Sequence, residues 1–172
     1  MDSGDLEIVR KQIGRNDITF LRVIRRCSYG FPVVIECYPE KDGKPFPTLY
    51  WLTCPHLRKE VSKLEEKGWI KRFEKRIEDS TTMKERIEKA HEEIKNRRER
   101  LTRDENLKSL LSEVGSGGIR DFTKVKCLHL HLADYLAGVD NPIGEEIWMM
   151  LGMKECEGGR VCEELMLGMD MR

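Results

Sequence analysis

Val125-Lys126-Cys127-Leu128-His129-Leu130-His131-Leu132-Ala133-Asp134 crowds a thiol and two imidazoles into five residues of an otherwise apolar segment, and its secondary structure decides what they can do. As a strand, Cys127, His129 and His131 alternate with Leu128, Leu130 and Leu132 and share one face. As a helix, Val125, Leu128, Leu132, Tyr135, Leu136 and Val139 recur at helical spacing and form a buried stripe. The helix accounts for more residues and is preferred. At about 100° per residue, Cys127, His131 and Asp134 then fall on one flank of the stripe and His129 on its other edge. Only the i, i+4 pair Cys127/His131 grips one ion from mid-helix in that arrangement. Asp121 and Thr123 are candidate caps, and Gly138 followed by Asp140-Asn141-Pro142 stops the helix.

Upstream, residues 57–103 are dominated by charges of both signs, without a strand signal. Leu57, Val61, Leu64, Ile70, Phe73 and Ile77 make one apolar stripe, interrupted near Gly68. Met83, Ile87, Ala90, Ile94 and Leu101 make a second with near-heptad spacing. Asp79-Ser80-Thr81-Thr82 separates them, and Thr82 with Glu85 matches a capping box. The expectation is an antiparallel helical hairpin that either packs on its own domain or binds a protein partner or a second copy. Thr102 with Glu105 is a second capping-box match, opening a short helix through Leu107, Leu110 and Leu111.

The remaining N-terminal part reads as a small antiparallel sheet. Residues 5–13 form a short amphipathic helix closed by Gly14, residues 18–24, 31–38 and 48–53 are strands, and residues 39–47 are a loop. After Asn141-Pro142-Ile143-Gly144 a last helix covers residues 145–151, and residues 152–172 look loosely ordered, with Cys156 and Cys162 as bystanders. The fold class is α+β, mainly helical, in one domain over residues 1–172. The Gly115-Ser116-Gly117-Gly118 run, followed by Lys124 and Lys126, is a weak anion-cradle signal and a better flexible connector.

Charge and cysteine usage narrow the function. The chain carries 31 basic and 31 acidic residues, so no global field recommends nucleic acid or a membrane surface as partner. No signal peptide or membrane-spanning run is visible, and six scattered cysteines do not form a secreted framework, so a cytoplasmic setting with reduced thiols is expected.

Several separated motifs resemble a known family. Arg26-Cys27 with Gly30 and Pro32, then Gly43-Lys44-Pro45-Phe46-Pro47-Thr48-Leu49-Tyr50, Leu52-Thr53-Cys54-Pro55, Val125-Lys126-Cys127-Leu128-His129 and Asn141-Pro142-Ile143-Gly144 occur in the order of the bacterial family catalogued as domain of unknown function 501. The resemblance implies no particular activity. Its matched positions with ligand chemistry are Cys27, Cys54, Cys127 and His129, while His131 lies outside the pattern and Tyr29 stands where many members have a second cysteine.

These cysteines fall at a turn after a strand, at a strand end before proline and at a helix start. Three thiolates and an imidazole suit zinc, and three thiolates also suit an iron–sulfur cluster with one iron left open. The candidate ligands are therefore Cys27, Cys54, Cys127 and His129, with His131 as geometric substitute. Without a CxxC knuckle, unliganded core thiols are an equal alternative. His56, beside Cys54-Pro55, is a weaker candidate, and His91 reads as surface. Two function classes follow: a regulatory or adaptor protein with a structural Cys/His cluster, or a metal-dependent enzyme or redox protein with an open coordination position assisted by Arg26, Lys126 or Asp134.

Overall fold

The structure, a computed structural model, describes residues 3–168. It opens with helix α1 (Ser3–Ile13), followed by β1 (Phe20–Arg26), β2 (Pro32–Cys37) and, after a small β3 (Glu40–Lys41) and β4 (Lys44–Pro45) ribbon within the expected loop, β5 (Tyr50–Leu52). Strands β1, β2 and β5 form an antiparallel sheet with β2 in the centre. Every residue of β2 is buried, because both faces of the sheet are covered. Ile35 and Cys37 pack with Val9 and Ile13 of α1. Val34, Tyr50 and Leu52 belong to the larger core shared with the helices that follow. Glu36, the one charge on β2, is neutralised across the strands by Arg22 at 2.6 Å.

Those helices are α2 (Pro55–Glu66), α3 (Trp69–Asp79), α4 (Thr81–Leu101), α5 (Glu105–Ser112), α6 (Leu128–Leu136), α7 (Pro142–Met150) and α8 (Arg160–Met166). The expected hairpin is thus built from three helices, since Gly68 in the left-handed region separates α2 from α3. Its turn falls at Ser80 as expected, but Ser80 itself is the cap, accepting from the Met83 amide, and Thr82 lies inside α4. Asp104 likewise caps α5, while the Thr102 hydroxyl donates back to the Arg98 carbonyl at the end of α4. In both places the nearer polar side chain reached the free amides first. Both apolar stripes are consumed by the main core, where Phe73, Ile77, Ile87 and Ile94 are fully buried.

The long helix α4 also carries the polar centre of the molecule. Arg98, fully buried, donates to the carbonyls of Pro47, Leu111, Val114 and Gly115, binding the end of α5 and the following loop to α4. His91, expected at the surface, is buried; its Nδ1 accepts from the Ser116 amide, and its ring stacks on Phe122. The Ser116 hydroxyl donates to Asp134 of α6 at 2.5 Å. His131 of α6 faces His91 edge-on and pairs through Nδ1 with Asn141, whose side chain also caps α7. The Asn141-Pro142-Ile143-Gly144 motif is therefore a helix start, and Gly144 allows α7 to lie against the His131 carbonyl, 2.2 Å from where a Cβ would stand.

Toward the C-terminus, a turn over Glu157–Gly159 leads into α8, which packs on α1 and α2. Within the stretch expected to be loose, residues 160–166 form this docked helix, reached through bends and the short turn; residues 169–172 lie outside the described residues. The missed signal is a short helix whose main apolar anchor, Cys162, was read only as a bystander thiol. No helix of the described residues is long and apolar enough to cross a membrane.

Two outcomes test this core. Ile87→Asp should lower stability by about 3 kcal/mol, because it buries an unpaired carboxylate in place of packed apolar surface; an unchanged melting temperature would contradict the burial.

The second concerns pH. Burial pushes His131 down to about 3 and His91 down to about 4, so between pH 4 and 6.5 the unfolded chain binds two protons that the folded chain refuses. Burial pushes Asp134 up to about 7, so over the same window the folded chain keeps one proton that the unfolded chain has lost. The net approaches one proton favouring unfolding once the unfolded histidines are charged, and stability should fall by about 1 kcal/mol per pH unit on acidification below about 5.5. Asp134→Asn removes the opposing proton and should double that slope in denaturant titrations; an unaltered slope would refute the assignment.

Candidate functional site

Strand β5 is an edge of the main sheet, and α2 leaves it immediately through Cys54-Pro55. The start of α6 lies alongside α2, and the space between them opens into a cleft of about 530 Å³. Trp51 and Tyr50 of β5 line the cleft, Arg58 and Ser62 come from α2, and Cys127 and His129 come from the start of α6. Lys59 and Lys126 add two further cations to its wall.

Where α6 begins decides which imidazole enters the cleft. Cys127 has extended backbone angles and is the residue capping the helix, so the helix starts one residue after it. His129 in the first turn then projects beside Cys127, and His131 turns into the core network with His91 and Asn141. The mid-helix Cys127/His131 pair is thereby dissolved: His131 is fully buried with its Nδ1 engaged by Asn141.

A carboxylate unremarked in the sequence completes the group. Glu65, near the end of α2, places Oε1 3.2 Å from His129 Nδ1, while its Oε2 accepts from the Leu128 amide at the free N-terminus of α6. Ligand atoms of Glu65, Cys127 and His129 all lie within 4.8 Å of one another, the one such trio of Cys, His, Asp and Glu side chains among the described residues.

The hydrogen bonding of His129 is informative. Its Nε2 faces the Arg58 carbonyl at 3.0 Å and must donate to it, since a carbonyl only accepts. Its Nδ1 faces the Glu65 carboxylate, which when ionised also only accepts. A neutral imidazole has one N–H to give, so a second positive entity, a proton or a metal ion, belongs between Nδ1 and the carboxylate. An imidazole with one nitrogen on a carbonyl and the other turned toward a carboxylate and a thiol has the outer-sphere support typical of a metal ligand. Burial holds the Cys127 thiol above its usual range; the Leu130 amide opposes this, the Glu65 charge adds to it, and Lys126 and the His129 amide oppose it.

The other expected ligands lie elsewhere. Cys27, in the turn after β1, and Cys54, capping α2, border a separate closed chamber together with Cys156 and Cys162. The structure thus divides the expected Cys27, Cys54 and Cys127 set between two neighbourhoods at opposite ends of α2. His56 is occupied by the Met153 carbonyl at 2.8 Å. In the glycine-rich run, expected to be a connector in preference to an anion cradle, the Ser116 amide is spent on His91 and Lys126 donates to the Gly117 carbonyl. Glu65 was missed because it sits in a run of surface-like charges; only its position in the last turn of α2, facing the start of α6, distinguishes it.

The family described as "Protein of unknown function (DUF501)" matches residues 23–149, which include Glu65, Cys127, His129 and the lining of the cleft apart from Gln12. No curated protein and no solved structure matches the chain.

Proposed function

We propose, for a chain that belongs to the DUF501 family, that Glu65, Cys127 and His129 bind a divalent transition-metal ion whose remaining coordination position opens onto the cleft. The observation carrying this reading is the His129 ring, held between a carbonyl and a carboxylate with a thiol alongside. A mixed oxygen, nitrogen and sulfur donor set of three protein groups suits zinc in a site that keeps one position for water or substrate. Such an ion supplies Lewis acidity and an activated water. The chain's own contribution is orientation: Arg58 and Ser62 fix the imidazole, and the α6 amide fixes the carboxylate. Arg58, Lys59 and Lys126 recommend a small organic anion as the molecule bound beside the ion, in a cleft of ordinary ligand size. The function is therefore metal-assisted chemistry on, or recognition of, a small anionic molecule.

The partner-binding role expected of residues 57–103 has less support. Their apolar residues are committed to the core, and outward charges such as Arg76 and Arg86 are paired within the chain, with Glu146 and Asp140. Exposed pairs of this kind contribute little to docking or stability.

Metal content and affinity test the reading. His129→Ala, Cys127→Ser and Glu65→Gln should each weaken zinc binding at this site by at least about 100-fold while the far-ultraviolet spectrum stays unchanged. Ligation must displace the Cys127 proton, so apparent affinity should rise about tenfold per pH unit through neutrality. Equal zinc binding by the parent chain and His129→Ala would show that a proton, rather than a metal, bridges His129 and Glu65.

A further inference from the structure

Four of the chain's six cysteines converge on one chamber. Cys27 comes from the β1–β2 turn, Cys54 from the cap of α2, Cys156 from the segment before α8, and Cys162 from α8 itself. The enclosed space is about 10 Å³, the room of a single water molecule, and is far too small for an organic ligand. Tyr29, Phe31, Pro32 and Val33 supply much of the remaining wall.

The C-terminal segment is held over the chamber by contacts that do not involve the thiols. Glu155 accepts from both the amide and hydroxyl of Ser28, at 2.8 and 2.9 Å. The Gly158 amide donates to the Tyr29 hydroxyl. Gly159, at φ +69°, lies against the Tyr29 ring, where a Cβ would come within 2.7 Å of the tyrosine side chain. These contacts bring Cys156 and Cys162 to the turn that carries Cys27.

We propose that Cys27, Cys54, Cys156 and Cys162 are the four ligands of a structural tetrathiolate site for a single soft divalent ion of the zinc class. Four thiols around an ion-sized space with apolar walls match a closed site, in which every coordination position is filled by protein. Donors for the resulting negative charge are in place, since the Leu57 and His56 amides act on the Cys54 sulfur and Gln12 Nε2 donates to Cys162 at 3.3 Å. Loading releases four thiol protons and transfers no electrons. The four sulfurs are more open than the Glu65, Cys127 and His129 trio, which alone among the described residues has three ligand atoms within 4.8 Å. An ion with bonds of about 2.3 Å draws them together and tightens α8 and its leading segment onto the turn.

The test uses the full chain purified without oxygen, with zinc and cobalt as probes. The parent chain should bind one equivalent here, and its cobalt form should show the thiolate-to-metal charge-transfer intensity of four sulfurs. Cys156→Ser and Cys162→Ser should each lower zinc affinity at this site by at least about 100-fold, and Gly159→Val should do so without removing a thiol. Zinc should slow amide exchange in residues 155–166, and a chelator should reverse this. Cys127→Ser should leave the cobalt spectrum of this site intact, which separates its fate from that of the cleft. Unchanged zinc binding in Cys156→Ser and Cys162→Ser would overturn the proposal. So would disulfides among the four cysteines in the anaerobic protein, or stoichiometric iron and sulfide in place of zinc.

Discussion

One buried guanidinium holds the middle of this chain together. Arg98 gives its hydrogen bonds to the carbonyls of Pro47, Leu111, Val114 and Gly115, so a loop leading to β5, the end of α5 and the turn before α6 are all referred to one point on α4. A buried arginine is costly unless its donors are satisfied, and here carbonyls at a helix end and in loops take up both Nη groups, leaving only Nε without a partner. Burial pulls its pKa down to about 10, partly offset by Asp134, which leaves it charged at neutral pH. From Arg98 the network passes through Ser116 to Asp134 and, by way of His91, to His131 and Asn141. The orientation of α6, and hence of Cys127 and His129 at its start, depends on that network.

The sequence carried the outline of this fold where a pattern has one physical solution. Two apolar stripes separated by Asp79-Ser80 do give helices that turn at Ser80, and the β-branched run of β2 does give the central strand. Patterns with several solutions were less informative. Ser80, Thr81 and Thr82 all have capping side chains, and which one caps depends on where the chain leaves α3, a tertiary matter. Arg98 and His91 were indistinguishable from their exposed neighbours, because a polar residue on a charged helix announces burial only when its partners, here loop carbonyls and a loop amide, are known.

The candidate site was legible to the segment and illegible to the atom. Cys127-Leu128-His129-Leu130-His131 does contribute two members of the candidate cluster, but the choice between His129 and His131 turned on the helix beginning at Leu128 instead of before Cys127. That boundary is set by Glu65, whose carboxylate caps the Leu128 amide from another helix. Glu65 therefore both starts α6 and faces the imidazole that its own capping brings into position. Spacing within one segment cannot reveal a group that arrives from 63 residues away. Cys156 and Cys162 were missed for the same reason: their partners are Cys27 and Cys54, and the contacts that dock them involve Ser28 and Tyr29.

Helix α2 gives the two thiol-containing sites a common frame. Cys54 caps its first turn and Glu65 lies in its last, eleven residues on, which at 1.5 Å per residue separates them by about 16 Å. A metal held by four cysteines would fix the start of this helix against the β1–β2 turn and α8. The other end of the helix would then present Glu65 to α6 with little freedom to tilt. The proposed four-thiolate site at one end and the proposed three-ligand site beside a cationic cleft at the other are different in kind. The first is suited to holding shape and the second to exchanging a ligand. With the two proposed sites, the division of the cysteines along α2 would be a division of labour: one end would hold shape, and the other would meet a small molecule at the cleft.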